Sequence, residues 1–435
     1  MTRTPDLPDL GAVELAKLIR GGGASVVEVV GAHLARITER NPSVNAVVAV
    51  AGDALEQAAV CDRAIAAGDR IGSLHGVPFT AKDIIETVDL PTTLGMREHA
   101  GNRTGRDATM VSRMRAVGAI LLGKTNCPPG GSGGETDNEL HGRTNNPYDL
   151  GRSPAGSSGG EAAAIASGMS ACGLGTDSGG SLRMPAHACG IATLKPTAGR
   201  VPVTGILDED GAFGPMSDPR TQPGPLARRV EDLSLMLAVL AGPDGADSGA
   251  LPVPLAEPGE IDLHGLRVAL YLGDDESAPS ADVERAARDA GRALTAAGAV
   301  VTQQSPPAGG HELTRRVWDS YDGGMCAAEL YRILRQWDAY RSTMLGFLDA
   351  CDLIVSPVAP GPAVRHGEPV SWRYTTPHSL TGWPCVVVRA GSAGILPVGV
   401  QVVAGPWQDH VALAAASAIE HALGGWQPAP WPPVR

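Results

Sequence analysis

The residues best suited to chemistry lie between Arg152 and Arg183. The chain reads Arg-Ser-Pro-Ala-Gly-Ser-Ser-Gly-Gly over 152–160 and Gly-Thr-Asp-Ser-Gly-Gly-Ser-Leu-Arg over 175–183. Two Gly-Ser clusters, each followed by a helix-like run, bring several hydroxyls close to several unencumbered backbone N–H groups. That combination suits a nucleophile beside an oxyanion hole. No histidine or carboxylate sits at a fixed offset from either cluster, so a Ser-His-Asp arrangement is not visible. Counting points to another base. Lysine occurs only at Lys17, Lys82, Lys124 and Lys195, and arginine supplies the other 31 of the 35 basic residues. A lysine kept in so arginine-rich a chain points to something arginine cannot do, namely lose its proton when buried. Lys82 stands in the apolar run Leu74-His-Gly-Val-Pro-Phe-Thr-Ala-Lys-Asp-Ile-Ile85. Two readings stay open there: a neutral base, or a buried lysine paired with Asp83.

At these residues the chain resembles the amidase signature family of Ser-Ser-Lys hydrolases. The matching pieces are Gly76-Val-Pro78 with Lys82-Asp83, Gly123-Lys-Thr-Asn126, Gly156-Ser-Ser-Gly-Gly160 and Gly175–Arg183, followed by Asp352–Pro357 and Leu396–Val403. The intervals of 75 residues from Lys82 to Ser157 and 24 from Ser157 to Ser181 also fit. The resemblance spans roughly 10–425 and is most specific at 74–200. It implies Ser181 as nucleophile, Lys82 as general base, and Ser157 as the bridging serine, preceded by a cis peptide bond at Gly156–Ser157. It also implies an oxyanion hole from the N–H groups of Ser178, Gly179, Gly180 and Ser181. Asp177 and Arg183 fall where the family braces this loop. Gly131, Ser132 and Gly133, in the glycine-rich loop 128–134, fall where it lines the substrate. The family's Gly-Gly before the bridging serine is Ala155-Gly156 here.

The implied reaction is cleavage of the C–N bond of a small amide or carbamate (urethane) through an acyl-enzyme, with no cofactor and no metal. The alternative within the family is a glutamine-using amidotransferase component of the A type. The physics of the assignment is consistent. A serine needs a base within hydrogen-bond reach, and a second hydroxyl can relay the proton because it both donates and accepts. Lysine titrates at about 10.4 in water. Burial among Phe79, Ala81, Ile84 and Ile85 would lower that by as much as roughly 3–5 units.

Elements that could hold these groups alternate along the chain. Ser25 with Glu28 reads as a capping box opening a helix to about Arg40. Strand character follows at 46–50, 119–122, 266–272, 299–302, 352–356, 385–389 and 397–403. Helical patterns cover 53–67, 107–117, 160–167, 182–189, 227–241, 280–297, 311–348 and 409–423. This predicts an α/β fold, and the resemblance implies a central mixed sheet covered by helices on both faces. The Pro- and Gly-rich segments 242–260 and 357–371 read as surface excursions within a single domain spanning 1–435. The Pro-rich tail 426–435 is expected to lie extended on the surface.

Bulk properties narrow the function. The 435 residues carry a net charge of −12 with basic residues scattered, which argues against nucleic acid and anionic membranes as partners. Oligomerisation as a homodimer stays open. Seven cysteines without a C-x-x-C pair read as small buried residues of a reducing compartment. The N-terminus lacks an apolar signal segment, so a cytoplasmic location is expected. Gly118-Ala-Ile-Leu-Leu-Gly-Lys-Thr125 matches a phosphate-binding loop as text, but its apolar middle reads as a strand where a cradle needs a loop and then a helix. A P-loop nucleotide-binding protein is therefore the disfavoured reading from another class. Asp177-Ser-Gly-Gly180 with Ala186-His-Ala-Cys189 resembles trypsin-like segments in the wrong order, leaving His187 as an ordinary helix residue. No metal-ligand spacing is present.

Overall fold

The computed structural model describes residues 6–433 apart from 216–217, 275–276 and 321–323. Residues 1–5, the last two residues of the Pro-rich tail, and positions 321–323 of the expected long helix lie outside the described residues. The strands in chain order are β1 (Val47–Val50), β2 (Pro78–Lys82), β3 (Ile120–Thr125), β4 (Cys172–Asp177), β5 (Ala192–Lys195), β6 (Leu207–Asp208), β7 (Gly211–Ala212), β8 (Gln222–Ala227), β9 (Arg267–Leu270), β10 (Val300–Gln303), β11 (Leu353–Pro357), β12 (Cys385–Ala393) and β13 (Leu396–Ala404). Eleven of them form one sheet in the order β1-β3-β2-β4-β8-β5-β12-β13-β11-β9-β10, while β6 and β7 make a separate hairpin. The sheet is mixed, as expected: β2 runs parallel to β3 and β4, whereas β12 and β13 are antiparallel. Helices flank it, and central strands such as β2, β4 and β13 are buried along their whole length.

One feature of the topology positions the site. Lys82, Thr125 and Asp177 are the last residues of three adjacent strands that point the same way. Their carboxyl ends therefore open at one edge of the sheet, where α/β folds gather their ligands. The helix Gly159–Ala166 packs beneath with all eight residues buried. Its small Gly-Gly-Glu-Ala-Ala-Ala face lets the helix lie close to the sheet.

Four central strands carried no clear signal. β2, β4, β5 and β8 read Pro-Phe-Thr-Ala-Lys, Cys-Gly-Leu-Gly-Thr-Asp, Ala-Thr-Leu-Lys and Gln-Pro-Gly-Pro-Leu-Ala, rich in residues that strands disfavour. Tertiary burial overrides that preference. In β8 the ladder to β5 reaches only Leu226 and Ala227, so Pro223 and Pro225 lie beyond that pairing. The helix from Ser25 also runs past Arg40, as Val26–Val44, with Pro42 in its last turn. The long helical region expected over 311–348 holds two helices, Gly310–Asp319 and Ala327–Phe347, with Gly323-Gly324 in the sequence between them.

Other expectations meet specific contacts. The excursion 357–371 folds back on the segment before Ser157, with Ser153 N–H donating to Val364 O at 3.0 Å. The tail is anchored rather than simply laid on the surface: Trp426 is buried beneath the Arg228 guanidinium, and Trp431 lies under that of Arg40. Five cysteines are buried, Cys61 is half-buried, and Cys326 is exposed, contrary to the expectation for all seven. The phosphate-loop text falls on β3, after the helix Thr109–Ala116, so the order is the reverse of a nucleotide cradle. His187 is a buried helix residue whose ring nitrogens meet Gly361 O at 2.9 Å and Gly399 N–H at 3.0 Å. No helix among the described residues is long and apolar enough to cross a membrane.

Beneath the strand ends, Glu161 accepts hydrogen bonds from Thr80 and Thr125. Burial pushes its carboxyl up from 4.5 to about 8, against the pull of those two bonds. A folded-state value above the unfolded one gives stability that is complete below the unfolded value and is lost as pH rises through the folded one. Glu161→Gln should remove that dependence. The wild-type thermal midpoint should fall relative to the variant between about pH 5 and about pH 9, and a constant offset across that range would contradict the assignment.

Candidate functional site

At the carboxyl end of β2, Lys82 is fully buried. Its Nζ lies 2.6 Å from Ser157 Oγ, 2.9 Å from Thr176 Oγ1 and, at the outer limit of a hydrogen bond, 3.5 Å from Gly131 O. The parallel register of β2 and β4 brings Thr176 alongside, one residue before the end of its strand. Asp83 does not pair with Lys82: its carboxylate turns to Lys124 at 3.6 Å and to Thr93. Of the two readings the sequence left open, the geometry thus gives Lys82 hydroxyl partners and leaves the carboxylate to Lys124. Burial lowers the Lys82 amine from 10.5 to about 8, with Cys127 and Asp177 pulling weakly upward.

Ser157 follows a cis peptide bond after Gly156. Ala155, where the family resemblance has glycine, sits in the left-handed region at φ 62°, a conformation that costs an L residue roughly 1–2 kcal/mol. The 175–183 loop faces this turn, joined to it by Ser158 N–H donating to Ser181 O at 3.2 Å. Ser181 is half-buried, and its hydroxyl forms no hydrogen bond among the described residues.

The loop from Ser178 to Ser181 is held from behind. Asp177 and Arg183, both fully buried, form a two-pronged ion pair at 2.9 and 2.8 Å. Asp177 also accepts the N–H groups of Leu182 and Arg183, at 3.2 and 3.4 Å. Burial alone would raise the Asp177 carboxyl, but Arg183, with Lys195 and the Leu182 N–H adding to it, turns the net shift downward. Ser178 Oγ is tied to Thr221. Gly179 and Gly180 are buried, yet their N–H groups and that of Ser181 donate to nothing among the described residues. Buried backbone donors are rarely left unpaired, so the two at Gly179 and Gly180, with that of half-buried Ser181 beside them, mark a place prepared for an acceptor.

Both glycines are required by what lies over them. A Cβ at Gly179 would stand 2.5 Å from Trp318, and one at Gly180, where φ is 142°, would stand 2.6 Å from Thr375 Oγ1. Trp318 and Trp372 meet edge to face, with centroids 6.3 Å apart. Beside the turn at Ala155, an apolar cavity of about 90 Å³ is lined by Met184, Ala359, Val364 and Val370 among others.

The expected lining residues divide. Gly131 points its carbonyl at Lys82, while Ser132 and Gly133 are both exposed, the Gly133 carbonyl lying against Gly156. Thr176, Trp372 and Thr375 were not picked out from the sequence. Thr176 adjoins Asp177 inside a motif already in hand; nothing local marks the other two. Among the described residues no cluster of three or more His, Cys, Asp or Glu side chains is arranged to hold a metal.

A buried amine in contact with Ser157 at a strand end thus lies beside a turn whose backbone donors are unpaired among the described residues. The family model for Amidase matches residues 28–321 and 325–413. The acylamidase of Rhodococcus erythropolis is 34% identical over 94% of this chain and 95% of its own length. The A-type component of a glutamyl-tRNA(Gln) amidotransferase from Salinispora arenicola is 33% identical over 97% and 99%. The crystal structure of a bacterial aryl acylamidase superposes with a TM-score of 0.83 at 27% identity, covering 95% of this chain and 96% of that one. The chain belongs to the amidase signature family, a class of amide hydrolases.

Removing either member of the Asp177–Arg183 pair leaves a buried charge without its partner. Arg183→Met or Asp177→Asn should therefore destabilise the fold by about 3–5 kcal/mol, read as a lower urea midpoint. The double substitution should recover part of that loss, and strictly additive losses would argue against coupling.

Proposed function

We propose that the chain hydrolyses the C–N bond of small amides and carbamates through an acyl-enzyme, with Ser181 as nucleophile, Ser157 as proton relay and Lys82 as base. The observation that carries this reading is the 2.6 Å contact between Lys82 Nζ and Ser157 Oγ in a pocket closed to water. A neutral amine has two N–H donors and one lone pair. Thr176 Oγ1 and Gly131 O take the donors, and the lone pair is left to receive the Ser157 proton.

The steps follow from these contacts. A substrate carbonyl enters the hole formed by the N–H groups of residues 178–181 and draws the Ser181 hydroxyl toward Ser157. Ser181 Oγ attacks as its proton passes to Ser157 Oγ and the Ser157 proton passes to Lys82. The tetrahedral oxyanion is held by the backbone donors. Collapse breaks the C–N bond, and Lys82 returns its proton through Ser157 to the leaving nitrogen. Water, deprotonated along the same path, then releases the acyl group. A carbamate presents the same C–N bond with an alkoxy group on the other side of its carbonyl. The apolar cavity beside Ala155 and the Trp318–Trp372 wall favour apolar and aryl substituents. We read the whole chain as one amidase domain, cytoplasmic, needing no cofactor. The second reading, the glutamine-hydrolysing component of an amidotransferase, rests on the relatives of that name.

The test is a panel of aryl amides, alkyl amides, aryl carbamates and glutamine, run with fluorophosphonate labelling and mass mapping. The expected label sits on Ser181. Ser181→Ala should abolish turnover in a folded protein, and Lys82→Ala should cost several orders of magnitude. Turnover of glutamine alone would favour the amidotransferase reading, and near-normal turnover by Ser181→Ala would sink the mechanism.

The Lys82 base must be unprotonated, so activity should climb with pH. With its amine at about 8, only about one molecule in ten is active at pH 7. A kcat/KM profile half-maximal near pH 8 and reaching a plateau above about pH 9 is expected. A flat profile from pH 6 to 9 would exclude Lys82 as the titrating group.

A further inference from the structure

We infer that Thr375 is a positioning residue of the oxyanion site, setting the direction of the Gly180 N–H by gripping the carbonyl of Gly179. Thr375 lies 194 residues beyond Ser181 at the start of the short helix Thr376–Thr381. Its hydroxyl donates to Gly179 O at 2.6 Å. The other acceptor within its reach, Trp372 O, is farther away at 3.2 Å, and a hydroxyl has one proton to give.

A trans peptide turns the C=O of one residue and the N–H of the next to opposite sides. Holding Gly179 O toward Thr375 therefore aims Gly180 N–H to the opposite side of the peptide, away from Thr375. The same geometry repeats one residue on. Gly180 O accepts Met184 N–H at 2.7 Å, which turns Ser181 N–H in turn. That second restraint comes from the adjoining helix and is local, whereas the first depends on a distant side chain. Glycine at 179 and 180 leaves this peptide free to rotate without such a hold.

Thr375 is itself fixed. Arg183 Nη1 donates to Thr375 O at 2.7 Å, and Arg183 is clamped by Asp177. One buried network thus runs from the residue that ends β4, through Arg183 and Thr375, back to the peptide between Gly179 and Gly180. A donor fixed before the substrate arrives needs no reorganisation when charge develops, and that is where such donors gain their effect.

The inference rests on the proposed oxyanion assignment, and the experiment separates the two. Steady-state kinetics on an aryl amide would compare wild type with Thr375→Val, Thr375→Ala and Thr375→Ser, each checked for folding by circular dichroism. Valine and alanine remove the donor; serine keeps it. Loss of a hole donor outright costs about 10²–10³ in kcat. Misdirecting one should cost about tenfold to hundredfold, with KM within about twofold. Affinity for a boronic-acid transition-state analogue should fall in parallel, and serine should restore most of the rate. A wild-type enzyme inactive on every amide would defeat the proposed function. An active wild type whose folded valine or alanine variant keeps kcat within twofold would overturn the role of Thr375. So would a loss confined to KM, or a serine variant as impaired as valine.

Discussion

Everything at the site depends on keeping one amine dry. Lys82 ends a strand whose five residues are all buried, and the neighbours that close over it offer oxygen acceptors but no carboxylate. A carboxylate at contact distance would hold the amine charged; hydroxyls and a carbonyl do not. Two carboxylates of the neighbouring strand ends are committed elsewhere, Asp83 to Lys124 and Asp177 to Arg183. The two buried ion pairs keep these carboxylates out of direct contact with Lys82, and burial outweighs the upward pull that Asp177 still exerts on its amine.

The sheet explains why these groups meet. Three parallel strands end together and deliver Lys82, Thr125 and Asp177 to one edge, and the chain leaving β4 makes the turn that carries Ser181. The Gly-Ser turn at 156–158 approaches from the other side and is stitched to that loop through Ser158. Small residues run through all of these elements, because backbone must approach backbone with nothing between.

Much of this was legible in the sequence, for physical reasons that differ by residue. Lys82 stood out because the chain otherwise uses arginine, and Ser157 and Ser181 because their glycine-rich surroundings form several separate motifs in order. Strands β2, β4, β5 and β8 were not legible, because their stability comes from burial between neighbours and their residue types argue the other way. Ala155 stands where the resemblance has glycine, and only the backbone shows it in a left-handed conformation. The break between Asp319 and Ala327 was missed because apolar residues recur at helical spacing on both sides of it, Leu313 with Val317 before and Ile333, Trp337, Tyr340 and Met344 after. Trp372 and Thr375 gave no signal, since their importance lies in what they touch nearly two hundred residues away.

The aromatic wall has its own consequence. The Trp318 and Trp372 side chains make no hydrogen bond to Lys82, Ser157, Asp177 or Arg183, although the Trp372 carbonyl helps hold the turn that carries Thr375. The two indole side chains at the rim are thus separable from the chemical centre, while the backbone that carries Trp372 is not. Selection, or a laboratory library, can diversify positions such as 318 and 372 to reshape which molecules enter while the proton-transfer apparatus stays as it is.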